Sequence, residues 1–328
     1  MKKTTNTNNT FSTGAKGDLT LSALSSAMSR HVTACGYSVS ADECAHVLSA
    51  MAAHRLLYIE GTADDDGCVL LAGAVASFLG CDGNATVCKA DTVSLSSLMA
   101  GKDVISPLAE KLRAVIGSGR PSAVVIDDRA GADLSMVLSG LEGYFSDGNE
   151  SCEVSYGGGS LILPKNTYFI VVLPEGRALE LIGEELSYLA CPVVCDGTLT
   201  LITNDGEKEP TEVTAEELSE LFGAAYLAYQ PTEETWRMID AIDALLSSRH
   251  LRGFGNDGYL TMEKYVSVYT ACTGDCHRAL DVLIESHISH LRGRASREDG
   301  EALVSLISKM TSELSLPRAQ NAAGMLTR

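Results

Sequence analysis

Two spacings of apolar residues divide the chain. Over its first ordered stretch they return every three to four positions, which predicts one helix across Leu19–Ala34 and a second running from the capping box Ser40-Ala41-Asp42-Glu43 to about Ala53. Short runs that are apolar on both faces then take over: Arg55–Glu60, Ala85–Cys88, Ala123–Asp127, Thr167–Leu173 and Pro192–Asp196 read as strands. Between them Val69–Leu79, Ser106–Gly117 and Asp133–Phe145 read as helices, the second carrying Leu108, Leu112, Val115 and Ile116 on one face. Strands without a polar face, separated by helices, predict an α/β fold: a five-stranded parallel sheet covered on both sides.

One segment breaks the alternation. CEVSYGGGSLILP holds two alternating stretches joined by Gly157-Gly158-Gly159 and predicts a β-hairpin insert before the fourth strand. After Thr203 the charged, proline-containing DGEKEPTE reads as a linker. A second capping box, Thr214–Glu217, then opens a wholly helical region, with helices expected at 214–228, 233–248, 261–271, 275–292 and 298–314 and an end at Leu316-Pro317. The expected organisation is a disordered segment over 1–17, an α/β core with N-terminal helices over 18–203, an acidic linker over 204–213, an all-α domain over 214–315 and a tail over 316–328.

Charge narrows the functions open to such a chain. Its 43 acidic residues against 25 Lys and Arg give a net charge of −18, a field that repels a phosphate backbone and disfavours direct nucleic-acid binding. The same acidity serves solubility. The run of about 18 apolar residues that a membrane span requires does not occur, and MKKTTNTNNTFSTGAKGD has a basic start with no apolar stretch behind it, so a cytoplasmic protein with no membrane partner is expected. The ten cysteines are then expected to stay reduced. Cys191 and Cys195 share one face of a predicted strand. Cys272 and Cys276, with His287 and His290, approach a zinc-finger spacing, but with a shorter loop and a shorter His–His gap than the usual pattern. GNDGYLTMEKY (Gly255–Tyr265) sets Lys264 at the last ligand position of a calcium loop, which excludes that reading. No metal site is expected.

The stretch YIEGTADDDGCVLLAGAVASFLG (Tyr58–Gly80) is a strand ending in glycine, a polar loop and an apolar helix, the frame of a phosphate-binding P-loop. With the other elements in this order, the chain resembles the AAA+ ATPases, and the hairpin is similar to the pre-sensor-1 hairpin of the branch that holds the MoxR-like, McrB-like and dynein-related modules. The resemblance covers about residues 40–295. VVIDDRAGAD keeps Asp127, Asp128 and Asp133 where that branch carries an acidic pair and a following Asp, and LILPKNTYFIVVL matches its hairpin-to-strand junction through Pro164 and Asn166. TGDCHRAL resembles its sensor-2 signature, with Gly274, Arg278 and Ala279 in place. The resemblance implies a P-loop NTPase-like sheet with a helical lid. It also implies a role for Asp127 in holding Mg²⁺, for Asp128 in polarising the attacking water, and for Arg278 at the γ-phosphate.

The departures concern chemistry. Aligned from Gly61 on G-x-x-x-x-G-K-S/T, the second glycine is Asp66, the lysine is Gly67 and the Mg²⁺-ligating hydroxyl is Cys68. Asp64, Asp65 and Asp66 stand at the N-terminal end of the following helix, where carboxylates can take the anion's role, whether as a capping loop or as a metal site. Two like charges about 4 Å apart cost about 4 kcal/mol at an effective dielectric of 20, so a triphosphate is disfavoured there. Asp128 stands where the branch has Glu, one methylene shorter. The expected sensor-1 position reads Val172-Leu173-Pro174, and EELSYLACP carries no arginine finger.

The expectation is a catalytically degenerate AAA+-like protein, a pseudo-ATPase that serves as a scaffold in an oligomer. It would need no cofactor, and its partners would be proteins, either active AAA+ subunits or an associated effector. Two alternatives stand beside it. One is an active ATP-dependent remodeller using ATP/Mg²⁺ with Asp127, Asp128 and Arg278. The other is a nucleic-acid-associated defence component, for which Arg292, Arg294 and Arg297 are the basic cluster.

Overall fold

The computed structural model describes residues 19–61, 67–79, 81, 85–89, 113, 121–129, 134, 138, 141–145, 151–156, 159–174, 193–194, 213–310 and 315–328. The chain opens with α1 (Leu21–Ala34), capped by Thr20, and α2 (Ala41–His54). In the capping box of α2 the Ser40 N–H donates to Glu43 Oε2 at 2.6 Å and the Glu43 N–H donates to Ser40 Oγ at 3.1 Å, so two orphan donors of the first turn are satisfied. Arg55 ends the helix in the left-handed region (φ 58°) and turns the chain straight into β1 (Leu56–Gly61). A non-glycine residue is strained there. Its surroundings hold it: the Arg55 carbonyl accepts the Phe169 N–H, and the guanidinium lies 5.0 Å from the Tyr144 ring centre.

The sheet is parallel. β6 (Thr167–Pro174) lies between β1 and β3 (Ser122–Asp127), β2 (Ala85–Lys89) pairs with β3 beyond it, and the two-residue β7 (Val193–Val194) pairs with the far side of β1. The strand order is β2-β3-β6-β1-β7. Successive side chains of β1, β3 and β6 point to opposite faces, and both faces are buried. Leu57, Ile59, Ala123, Val125, Ile170 and Val172 share one core with α1, α2 and α3 (Gly67–Phe78). On the other face Phe169 meets Tyr144 and Phe145 edge-on, at 5.8 and 5.5 Å between ring centres.

Tyr144 and Phe145 belong to α4 (Glu142–Phe145). The helix expected over Asp133–Phe145 is not continuous: Leu134 lies outside helix, and Leu141 is a turn residue whose N–H donates to the Leu138 carbonyl. Tightened turns keep Leu134, Leu138, Leu141 and Tyr144 buried, and the Tyr144 hydroxyl then donates to the Thr167 carbonyl at 2.6 Å. The helix expected over Ser106–Gly117 lies outside the described residues except for Arg113, which is helical. The hairpin is present as β4 (Ser151–Tyr156) and β5 (Gly159–Pro164), antiparallel with Tyr156 opposite Gly159.

After residue 213 the described residues are helical: α5 (Ala215–Ala228), α6 (Glu233–Ser248), α7 (Gly255–Thr273), α8 (His277–Ser289), α9 (Arg297–Met310) and α10 (Pro317–Met325). α7 lies along α2 and also meets α1 and α5, so one apolar core runs from the N-terminal helices into the C-terminal ones. Two expectations are corrected here. α7 begins at Gly255, six residues ahead of its expected start (at 261), because the Asp243 carboxylate accepts the Phe254 N–H at 2.6 Å and Phe254 is buried. Tertiary anchoring thus outweighs the glycine penalty of GNDG. Pro317 does not end the helical region; it is the first residue of α10, where its missing N–H costs nothing.

Among the described residues no helix is long and apolar enough to cross a membrane.

Candidate functional site

In an open parallel sheet a ligand crevice forms at the carboxyl ends of the strands. Here that edge brings together Gly61 of β1, Asp127 at the end of β3 with Asp128 directly after it, and Leu173 and Pro174 of β6.

Gly61 faces the first turn of α3. A Cβ on Gly61 would fall on the Sγ of Cys68, so only glycine lets strand and helix meet this closely. Cys68 is 1% exposed, and its thiol packs against the end of the strand. Gly67 is the first residue of α3, two positions before the expected start of that helix. Asp66, with Asp64 and Asp65, lies outside the described residues.

At the end of β3 the two acids are held differently. Asp128 is fully buried, and its N–H extends the ladder by donating to the Val172 carbonyl at 2.9 Å. Asp127 is gripped by Arg129. Arg129 Nε donates to Oδ1 at 2.8 Å and Nη2 to Oδ2 at 2.9 Å, and the Arg129 backbone N–H reaches Oδ1 at 3.3 Å. This is a two-pronged, charge-assisted pair with side chains only 17% and 9% exposed. The sequence signal for Arg129 is the i, i+2 spacing of Asp and Arg at a strand end, where the chain turns and the long side chain can fold back.

Arg278 is the second residue of α8. The TGDCHRAL segment is a junction of two helices: Gly274 ends α7 in the left-handed region (φ 79°), and the Asp275 carboxylate caps α8 by accepting the His277 N–H at 2.8 Å. The Arg278 guanidinium turns to α2, where Nη2 stands 2.8 Å from Asp42 Oδ2. That contact is one of charge; its N–H directions do not make an aligned hydrogen bond. Asp42 also accepts the Tyr269 hydroxyl, and His46, one turn on, bonds the Tyr265 hydroxyl through Nδ1 at 2.7 Å and lies 4.5 Å from the Tyr269 ring centre. Burial lowers the His46 pKa to about 4 against the opposing pull of Asp42. Burial and the bond to Asp42 push the Tyr269 hydroxyl well above its ordinary range. In the sequence Asp42 is legible only as part of a capping box, since its partners come from the far end of the chain.

The four residues of the zinc-like spacing do not converge. Cys272 is buried on α7, whereas His287 bonds the Arg252 carbonyl at 3.0 Å and packs against Phe254 with the ring centres 4.4 Å apart and the planes tilted by 46°. Cys191 and Cys195 lie outside the described residues, among which no group of three or more His, Cys, Asp or Glu could hold a metal ion. A cavity of about 360 Å³ opens at the start of α7, between Asp243, Arg252 and Asn256, among none of the residues expected to meet a nucleotide.

Comparison with known proteins finds no family model and no curated protein that matches the chain.

Proposed function

We propose that the protein is a catalytically degenerate AAA+-like ATPase, a pseudo-ATPase whose fold serves to hold protein partners. The P-loop NTPase-like architecture is part of the proposal. What supports it is the order of the parallel strands: numbered by position in the sequence and read from the β7 edge, β7-β1-β6-β3-β2 is 5-1-4-3-2, with the hairpin before the fourth strand and a helix directly after the first. The helices from α5 onward would be the lid, and partners would be active AAA+ subunits or an associated effector.

One observation carries the loss of catalysis. Asp127, the acid that would hold Mg²⁺, already has both oxygens in the fork of Arg129. A divalent ion about 4 Å from a guanidinium would meet roughly 8 kcal/mol of repulsion at an effective dielectric of 20. The other positions agree. Gly67 stands where a lysine would be needed, Cys68 packs inward, Leu173 is buried and apolar, and Arg278 is paired with Asp42.

Isothermal titration with ATP and Mg²⁺ tests the reading. Heats no larger than those of dilution are expected. Micromolar binding sinks the proposal, and turnover that Asp127→Ala abolishes would mark an active remodeller instead.

A further inference from the structure

We propose that Arg129 is the resident cation of the sheet's acidic edge: its guanidinium fills the place beside Asp127 that a divalent metal would take, and the protein excludes Mg²⁺ and Mn²⁺ there. The inference deepens the scaffold reading and rests on it in one respect, that the end of β3 is where a metal would otherwise lie.

Three features argue for a built pair and against a casual surface contact. The geometry is two-pronged, with 2.8 and 2.9 Å bonds to the two oxygens of one carboxylate, and the Arg129 backbone N–H adds a third donor to Oδ1. Its base is fixed, because β3 pairs with β6 as far as Asp127, opposite Val172, and the Asp128 N–H then bonds the Val172 carbonyl. Both side chains are largely removed from water, so the attraction is less screened than at a surface.

The chemistry of the donors sets the competition. Mg²⁺ demands near-octahedral oxygen ligands at about 2.0–2.1 Å and keeps several waters, so it needs a carboxylate oxygen that faces open space. In Asp127 three N–H groups converge on the two oxygens. A metal would have to expel the fork, leave a permanently charged guanidinium in a mostly buried place and stand beside it. Arginine does not lose its proton in the physiological range, so exclusion holds at any pH where the fold holds.

Mn²⁺ titration without nucleotide, followed by the paramagnetic resonance of the free ion, tests this on the full chain. Wild-type protein is expected to leave Mn²⁺ free up to millimolar concentration. Arg129→Gln is expected to bind it roughly tenfold or more tightly than wild type, and adding Asp127→Asn to that variant should remove the gain. Wild-type binding that Asp127→Asn abolishes overturns the inference, and so does a folded Arg129→Gln protein with no gain. Should Arg129→Gln fail to fold, the Arg129 Nε–H resonance of the wild-type protein decides: it stays sharp as Mn²⁺ is added if the inference holds and broadens if it does not. Metal-free ATP binding would overturn the scaffold reading and leave this inference standing, whereas Mn²⁺ bound at Asp127 without ATP binding would overturn this inference and leave the absence of nucleotide binding to rest on Gly67 and Cys68.

Discussion

Arg278 and Asp42 form an ion pair across the meeting of α8 and α2, with Nη2 2.8 Å from Oδ2. Asp42 lies in the first turn of α2, where a carboxylate also favours the helix dipole, and it accepts the Tyr269 hydroxyl. Arg278 is 57% exposed and brings only its charge. The two sides should therefore not be equal. Asp42→Ala is expected to lower unfolding stability by about 2 kcal/mol, through the lost hydrogen bond and the lost dipole contact. Arg278→Ala should cost less than about 1 kcal/mol, as for other solvent-screened pairs. Urea unfolding of both variants checks the asymmetry, and equal losses would contradict it.

His46 and His290 couple stability to acidity. Burial depresses both to about 4, in His290 with help from His287, Arg294 and Arg252. A depressed pKa means that the unfolded chain takes up these protons first, from about pH 6.5 downward. Stability should be full above that value and fall steadily toward pH 4. Replacing His290 with Asn should flatten the dependence of the urea midpoint on pH by about one proton. An unchanged slope would mean that His290 is not held neutral by the fold.

The approach of Gly61 to Cys68 sets a steric test at the start of α3. Gly61→Ala places a methyl group on the Cys68 sulfur and is expected to cost about 1–3 kcal/mol, as overpacking of a tight interior does. Adding Cys68→Ala should recover much of that loss. A thermal melt in which the double variant is no more stable than Gly61→Ala would show that the strain lies elsewhere.

Asp281 caps a helix to which it does not belong. Its carboxylate, 3% exposed on α8, accepts the N–H groups of Arg318 and Ala319 at 3.1 and 2.9 Å and so anchors the first turn of α10. Burial raises its pKa against those two bonds. Asp281→Ala is expected to cost about 2 kcal/mol, the price of a lost cap and two orphaned donors. Asp281→Asn keeps an acceptor without burying a charge, so its loss should be much smaller. Amide exchange at Arg318 and Ala319 should quicken in the alanine variant alone.

Most of the α/β pattern was legible because it is local. Ser40 and Thr214 start their helices where the capping boxes put them, since such a box satisfies its donors within four residues. AVVID and TYFIVVL are strands because runs apolar on both faces can be buried only between layers. The misreadings share one cause. Asp243 pulls the start of α7 back through GNDG, Asp281 anchors Pro317 at a helix start, and Tyr144, at the end of the interrupted helix, bonds Thr167. Each partner is distant in sequence.

At the candidate site the residue types are legible in the chain alone: glycine at 61 and paired acids at 127 and 128 by the strand ends, cysteine at 68 in the first turn of α3. Tertiary structure alone decided what those residues touch. Whether a carboxylate faces open space or an arginine fork, and whether Arg278 meets Asp42, depends on how the chain turns after β3 and on how α7 and α8 lie against α2. Hydrophobic periodicity fixes elements because burial is summed over many residues, but an ion pair is a matter of a few ångströms that no repeat along the chain encodes.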